Sequence, residues 1–201
     1  MTEEAPTVPA PAADPAPLGL AAFALTTFLL SAANANWMAA ATGNAWLGYA
    51  LAYGGVCQLL AGMWEFRNRN VFGATAFSTY GGFWIGLFLW AQFVAPHAAS
   101  AAAADHDLGW ILLAFAIFNT YMLIMATQVN IAVLVVFLTL EATEILLLLG
   151  NFHDGGTGGI SQVGGYLGVL TALVAWYTSA AGVSGGIGGR IILPVGKPLI
   201  S

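Results

Sequence analysis

IAVLVVFLTLEATEILLLL, residues 131–149, is the stretch on which the fold turns. Apart from two threonines and two glutamates it is wholly apolar. At about 1.5 Å rise per residue, a helix of roughly 20 apolar residues spans the hydrocarbon core of a bilayer. Five more such stretches follow the same pattern: Leu18 to Ala41, Trp46 to Trp64, Ala74 to Val94, Leu108 to Ala126 and Val163 to Val183. Composition agrees. Charged residues are 6% of the chain and hydrophobic residues 59%, against about a quarter charged in an ordinary soluble domain. So few charges do not cover a water-facing surface, and the sequence predicts an all-α membrane protein with six transmembrane helices.

The same counts exclude several functions. Arg67, Arg69, Arg190 and Lys197 are the only basic residues, too few for the basic patch that nucleic acids require. Cys57 stands alone, which excludes an intrachain disulfide and a cysteine-based metal site. The first residues carry Glu3 and Glu4 among prolines and alanines, and an acidic start is not a secretory signal. Three regions are therefore expected: a disordered tail over 1–17, a transmembrane domain over 18–185 and a cytoplasmic tail over 186–201.

The connections carry turn chemistry: Gly43-Asn44, Glu65 to Asn70, an Ala-rich stretch from Pro96 to Asp107, Gln128 to Asn130, and a Gly-rich one from Asn151 to Gly159. With six spans, all four basic residues fall on one face, and Asp105, Asp107 and Asp154 on the other. The positive-inside rule then places both termini in the cytoplasm of a cell membrane. Trp46, Trp64 and Trp110 near span ends fit an interfacial belt or plain lipid-facing packing. Gly54-Gly55, Gly81-Gly82 and Gly164-Gly165 permit close helix approach.

Polar residues inside spans speak to function, because a carboxylate at mid-bilayer costs about 2.5–3.5 kcal/mol on insertion scales. Glu141 and Glu144, three apart, share a helix face. Gln58, Asn119, Asn34 and Asn36 lie within other spans. Two readings stand side by side: a polar conduit with a proton-sensitive pair, or hydrogen bonds between helices. Two ionised glutamates on one face repel, so at least one is expected neutral or paired.

Catalytic constellations fail on specific grounds. Gly182-Val183-Ser184-Gly185 has the form of a membrane serine-protease nucleophile, but no His lies downstream of His153. A retinal Schiff base needs a mid-membrane lysine, and Lys197 lies in the tail. His97, Asp105, His106 and Asp107 read as a solvated loop rather than a metal site. The glycines lack the lysine of a phosphate-binding loop. No enzyme, cofactor or metal is expected.

Three stretches carry a resemblance. Asp14-Pro15-Ala16-Pro17-Leu18-Gly19-Leu20 is similar to the Asn-Pro-Ala-Pro-Leu-Gly-Leu signature of the succinate–acetate permease family of acetate transporters. Asp14 replaces the asparagine, and an aspartate there still caps a helix. Tyr53-Gly54-Gly55 with Gln58, Ala61-Gly62 and Glu65 resembles that family's second helix. NVFGATAFSTYGGFW, Asn70 to Trp84, resembles its third-helix signature. Leu149-Gly150-Asn151 and Arg190 to Gly196 extend the likeness to the C-terminal tail.

The resemblance implies a six-helix protomer in a homohexameric ring, each protomer with its own path for acetate, and in some members succinate or other short carboxylates. It implies an apolar pore constriction formed by Phe23, Tyr80 and Leu140. Beside this neck, Leu18, Gly19, Asn34, Gln58, Thr75, Ser78 and Thr79 are candidates to bind the carboxylate, since helix N-termini, amides and hydroxyls offset lost hydration. Glu141 and Glu144 depart from the family, where these positions are mostly apolar or hydroxylated; they are candidates for charge modulation. Glu144, at i+4 from Leu140, shares its face better than Glu141 does. The alternatives are a channel for a neutral solute such as urea, and a non-transporting membrane scaffold or sensor.

Overall fold

The computed structural model describes residues 12–38, 44–188 and 193–200. The expected tail over 1–11, Ala41, Gly43 and Arg190 with its neighbours lie outside the described residues. The protein is all-helical, with no strand among the described residues. Six helices follow in order. α1 is Ala16–Asn34. α2 covers 47–67 as three continuous pieces, Leu47–Tyr49, Ala50–Cys57 and Gln58–Arg67, the middle one wound with wider π geometry. α3 is Val71–Leu89, prolonged by a π segment, Trp90–Val94, and one tight turn, Ala95–His97. α4 is Ala101–Ala126, α5 Ile131–His153 and α6 Gly159–Gly186. α1, α4, α5 and α6 are long and apolar enough to cross a membrane by themselves; α2 and α3 are the two with π interruptions.

Local chemistry sets the ends. Asp14 Oδ1 accepts the Ala16 N–H at 2.9 Å and Pro17 sits in the first turn of α1, where a missing N–H does no harm. α1 stops at Asn34, seven residues before the expected Ala41 (41 − 34). Asn36 takes a left-handed φ of 62°. The Asn36 and Trp37 amides then bond back to Ala33 and Ala32 carbonyls, the paired closure of a Schellman cap. α2 ends in the same way: Arg69 at φ 60° and the Arg69 and Asn70 amides donating to Phe66 and Glu65 carbonyls. Asn70 then starts the next helix, its Oδ1 accepting Gly73 N–H while its Nδ2 donates to Glu65 Oε2 at 2.9 Å. One asparagine thus closes α2 and opens α3.

The Ala-rich stretch read as a connection is helical from Ala101 onward. Ser100 caps it by accepting the Ala103 N–H, and alanine has the highest helix propensity. Asp105, His106 and Asp107 therefore sit on the first turns of α4, not in a loop, and no metal-holding group of His, Cys, Asp or Glu occurs among the described residues. Asn151 to His153, also read as loop, complete α5.

α1 packs chiefly on α6, α6 on α5, α5 on α4, and α2 on α3. Close approach depends on glycine: a Cβ on Gly165 of α6 meets the Ala35 backbone nitrogen at 2.5 Å, and one on Gly62 of α2 meets the Ser78 side chain. The protein buries polar side chains among a largely apolar core and exposes large apolar ones. Its largest fully buried side chains are Gln58, Glu65 and Asn119, whereas Ile117, Leu138 and Leu173 are exposed. That distribution suits lipid outside and polar partners within.

Asn68 Nδ2 donates to Ala13 O, and Leu199 N–H donates to Thr127 O. The α2–α3 link is thereby tied to the segment just before α1, and Leu199 to the α4–α5 link. Asp105 and Asp154, by contrast, lie at the α3–α4 and α5–α6 end, where both approach the glycines of the latter link.

Candidate functional site

Two cavities lie within the helix bundle, one behind the other. The larger, about 720 Å³, has Asp14, Asn70 and Asn130 at one extremity, with Gln58 and Glu65 further in. The smaller, about 90 Å³, is bounded by Trp46, Trp90, Leu108 and Asn151 toward the opposite extremity. Phe23 of α1, Tyr80 of α3 and Leu140 of α5 belong to the walls of both. All three sit near the middle of their helices, and each is less than 10% exposed. The rings of Phe23 and Tyr80 meet edge to face with centroids 5.8 Å apart. Phe83, Phe115 and Phe118 crowd the other sides of Tyr80, with centroids at 6.3, 6.0 and 5.5 Å. Such pairs each add about 0.5–1.5 kcal/mol beyond area burial, so the Tyr80 ring is firmly held.

The Tyr80 hydroxyl is anchored as well. It lies 3.0 Å from Asn119 Oδ1 and 3.1 Å from Glu144 Oε1. Asn119, fully buried, donates through Nδ2 to Phe137 O at 3.0 Å and Glu141 Oε2 at 2.7 Å. Glu141 Oε1 lies 2.8 Å from the Thr120 hydroxyl. The two glutamates that share a face in sequence thus part company: Glu144 lines the small cavity, and half-buried Glu141 turns to α4 near the outside of the bundle.

Several buried polar atoms on the cavity walls have no hydrogen-bond partner among the described residues. Thr27 Oγ1, Trp84 Nε1, Trp90 Nε1 and Glu144 Oε2 belong to residues of the small cavity; Gln58 Oε1 and Glu65 Oε1 belong to residues of the large one. Burying such groups without partners is unfavourable by about 1–3 kcal/mol each, and concentrations of them mark places where a polar guest is accommodated.

Of the carboxylate-binding candidates, Gln58 lines the large cavity. Leu18 is 46% exposed, and Gly19 is pressed against the Phe77 ring. Asn34 ends α1 beside Gly165, Ser78 faces Gly62, and Thr75 and Thr79 are half-buried on α3. None of these six lines either cavity: α3 turns Tyr80 and Ala76 inward, which sends Thr75, Ser78 and Thr79 elsewhere. Sequence reasoning missed the indoles of Trp84 and Trp90, Thr27 and Glu65. Glu65 and Trp84 stood in the quoted motifs; Thr27 and Trp90 carried no signal.

A bundle of this kind, with large apolar side chains exposed and two cavities in file, defines a polytopic membrane protein. The family model described as GPR1/FUN34/yaaH matches residues 2–195, and the chain belongs to that family. Among curated relatives it is 38% identical over 195 residues to Acetate permease A of Emericella nidulans (91% of this chain, 65% of that one). It is 38% identical over 176 residues to Ammonia transport outward protein 2 of Saccharomyces cerevisiae (86% and 62%). To the Escherichia coli K12 Succinate-acetate/proton symporter SatP it is 32% identical over 186 residues (92% and 96%). The chain therefore spans under two thirds of those fungal relatives but nearly all of the bacterial one. The solved bacterial acetate channel SatP superposes with a TM-score of 0.80 at 31% identity, over 92% of this chain and 99% of that one.

Proposed function

We propose that this chain passes acetate and related short carboxylates, succinate among them, across a cell membrane through a pore within each protomer. The observation that carries the reading is the sharing of Phe23, Tyr80 and Leu140 by two cavities that lead toward opposite ends of the bundle. The names of the fungal acetate permease, the bacterial symporter and the bacterial channel support it. The neck is apolar and suits a methyl group while resisting wetting. On its narrow side, the Trp84 and Trp90 indole N–H groups and the Thr27 hydroxyl offer donors for a carboxylate that has shed water. Hydrogen bonds to a charged group contribute about 1.5–3 kcal/mol each. The small cavity, about 90 Å³, has room for a few waters of about 30 Å³ or one small acid.

The protomer assembles as a homohexamer in this reading, with both termini cytoplasmic. Arg67 and Arg69 flank the α2–α3 link that is tied to Ala13, and Lys197 lies in the segment tied to the α4–α5 link, in accord with the positive-inside rule. A second reading, passage of a neutral solute such as ammonia or urea, has the yeast relative's name behind it. Uptake of labelled acetate into proteoliposomes separates the two. Competition by propionate and succinate, with none by urea or methylammonium, is the expected outcome; urea or methylammonium flux without acetate flux contradicts it.

A further inference from the structure

Hydrogen-bond counting around Tyr80 leads beyond a passive neck. The Asn119 amide is oriented without ambiguity, because its nitrogen faces the Phe137 carbonyl, which only accepts. Asn119 Oδ1, itself only an acceptor, therefore faces the Tyr80 hydroxyl. Tyr80 owns one proton, so both contacts are hydrogen bonds only if that proton goes to Asn119, whose Oδ1 cannot donate. The 3.1 Å contact between Tyr80 Oη and Glu144 Oε1 is then a hydrogen bond only if Glu144 is the donor, as a neutral carboxylic acid. An ordered chain results: Glu144 O–H to Tyr80 O–H to Asn119 C=O, with Asn119 N–H to Glu141. An amide does not pass a proton on as a hydroxyl does, so Glu141 orients this chain through Asn119 and does not exchange protons with Glu144.

The surroundings of Glu144 are otherwise devoid of titratable groups among the described residues. α3 presents Tyr80 to it; α4 presents Asn119, with Tyr121 behind Tyr80; its own helix adds Glu141. α1 offers Thr27 and Ser31 on the cavity wall, and α6 offers Thr171 through Thr143. Among the described residues no cation is there to pair with an ionised Glu144. Its second oxygen, Oε2, is buried without a partner on a residue of the cavity wall, 4% exposed.

We infer that Glu144 is a proton-binding group of the pore, and that a carboxylate anion occupies the small cavity only while Glu144 carries its proton. This inference rests on the carboxylate-passage reading above. In the protonated state the acid hydrogen is a donor that swings from Tyr80 to the entering anion, and a bond of that charged kind is short and strong. In the ionised state two negative charges share one small cavity, and entry is opposed. Passage of the anion therefore falls as pH rises through the titration of Glu144.

Two readouts test this. Infrared difference spectra of the lipid-reconstituted protein, wild type minus Glu144→Gln, are expected to show a protonated carboxyl stretch at neutral pH that disappears on alkalinisation and survives in Glu141→Gln. Labelled acetate flux, taken at constant anion concentration and corrected with protein-free vesicles, is expected to fall about tenfold per pH unit above its midpoint in wild type, as a single titrating group dictates. In Glu144→Gln the flux is expected to be level across the same range. An absent carboxyl band, or a Glu144→Gln pH profile like that of wild type, overturns the inference. A wild-type protein that moves no acetate at any pH overturns the transport reading instead, and the infrared band alone then decides whether Glu144 binds the proton.

Discussion

The two cavities share Phe23, Tyr80 and Leu140 and differ in almost everything else. The large one, about 720 Å³, runs past Gln58, Glu65, Asn70 and Asn130 to the end where Asp14 and Val195 lie. The small one, about 90 Å³, is walled by indoles, hydroxyls and Glu144. By volume, a small anion would keep its water in the first and shed it in the second. Hydrogen bonds from the wall therefore matter little on one side of the neck and greatly on the other. In the proposed reading a carboxyl group on the narrow side governs the anion directly, whereas Glu65, on the wall of the roomier cavity, is expected to act on it more weakly.

That contrast is open to attack by substitution. The largest expected effect belongs to Asn119→Leu, which takes one hydrogen-bond partner from each of the Tyr80 hydroxyl, the Phe137 carbonyl and the Glu141 carboxylate. Each lost hydrogen bond costs about 0.5–1.5 kcal/mol, so thermal unfolding in detergent should show a marked drop for this variant. Trp84→Phe and Trp90→Phe come next. Each removes one N–H donor from the narrow side while keeping most of the ring, and acetate half-saturation in proteoliposomes should rise about tenfold, the effect of one hydrogen bond to a charge. Gln58→Leu, on the wide side, is the smallest: water replaces the amide, and half-saturation should change by less than about threefold. Equal effects of Gln58→Leu and Trp90→Phe would erase the distinction between the cavities.

Much of this was legible in the sequence, for physical reasons that also mark its limits. Helix count came from apolar length, which a bilayer fixes. The stop of α1 was not legible, because Asn36 in a left-handed cap looks like any polar residue inside an apolar run. The start of α4 was missed for the opposite reason: alanines after Pro96 read as a link until Ser100 is seen to cap them. Glu144 could be placed on the Leu140 face from spacing alone. Its partner could not, since Tyr80 and Glu144 lie 64 residues apart and meet only after α3 and α5 pack. Thr75, Ser78 and Thr79 were chosen for chemistry, and helix phase decided which side of α3 they occupy.

The central claim is that Phe23, Tyr80 and Leu140 form the narrowest point of a carboxylate path. Phe23→Ala tests it most directly, through the ratio of butyrate to acetate flux in proteoliposomes made with folded variant and wild-type protein. The account predicts that the ratio rises about tenfold or more, because removing the ring opens space on the order of a buried phenyl group between the two cavities. An unchanged ratio in a variant that still transports acetate contradicts it, and places the selective point of the path elsewhere.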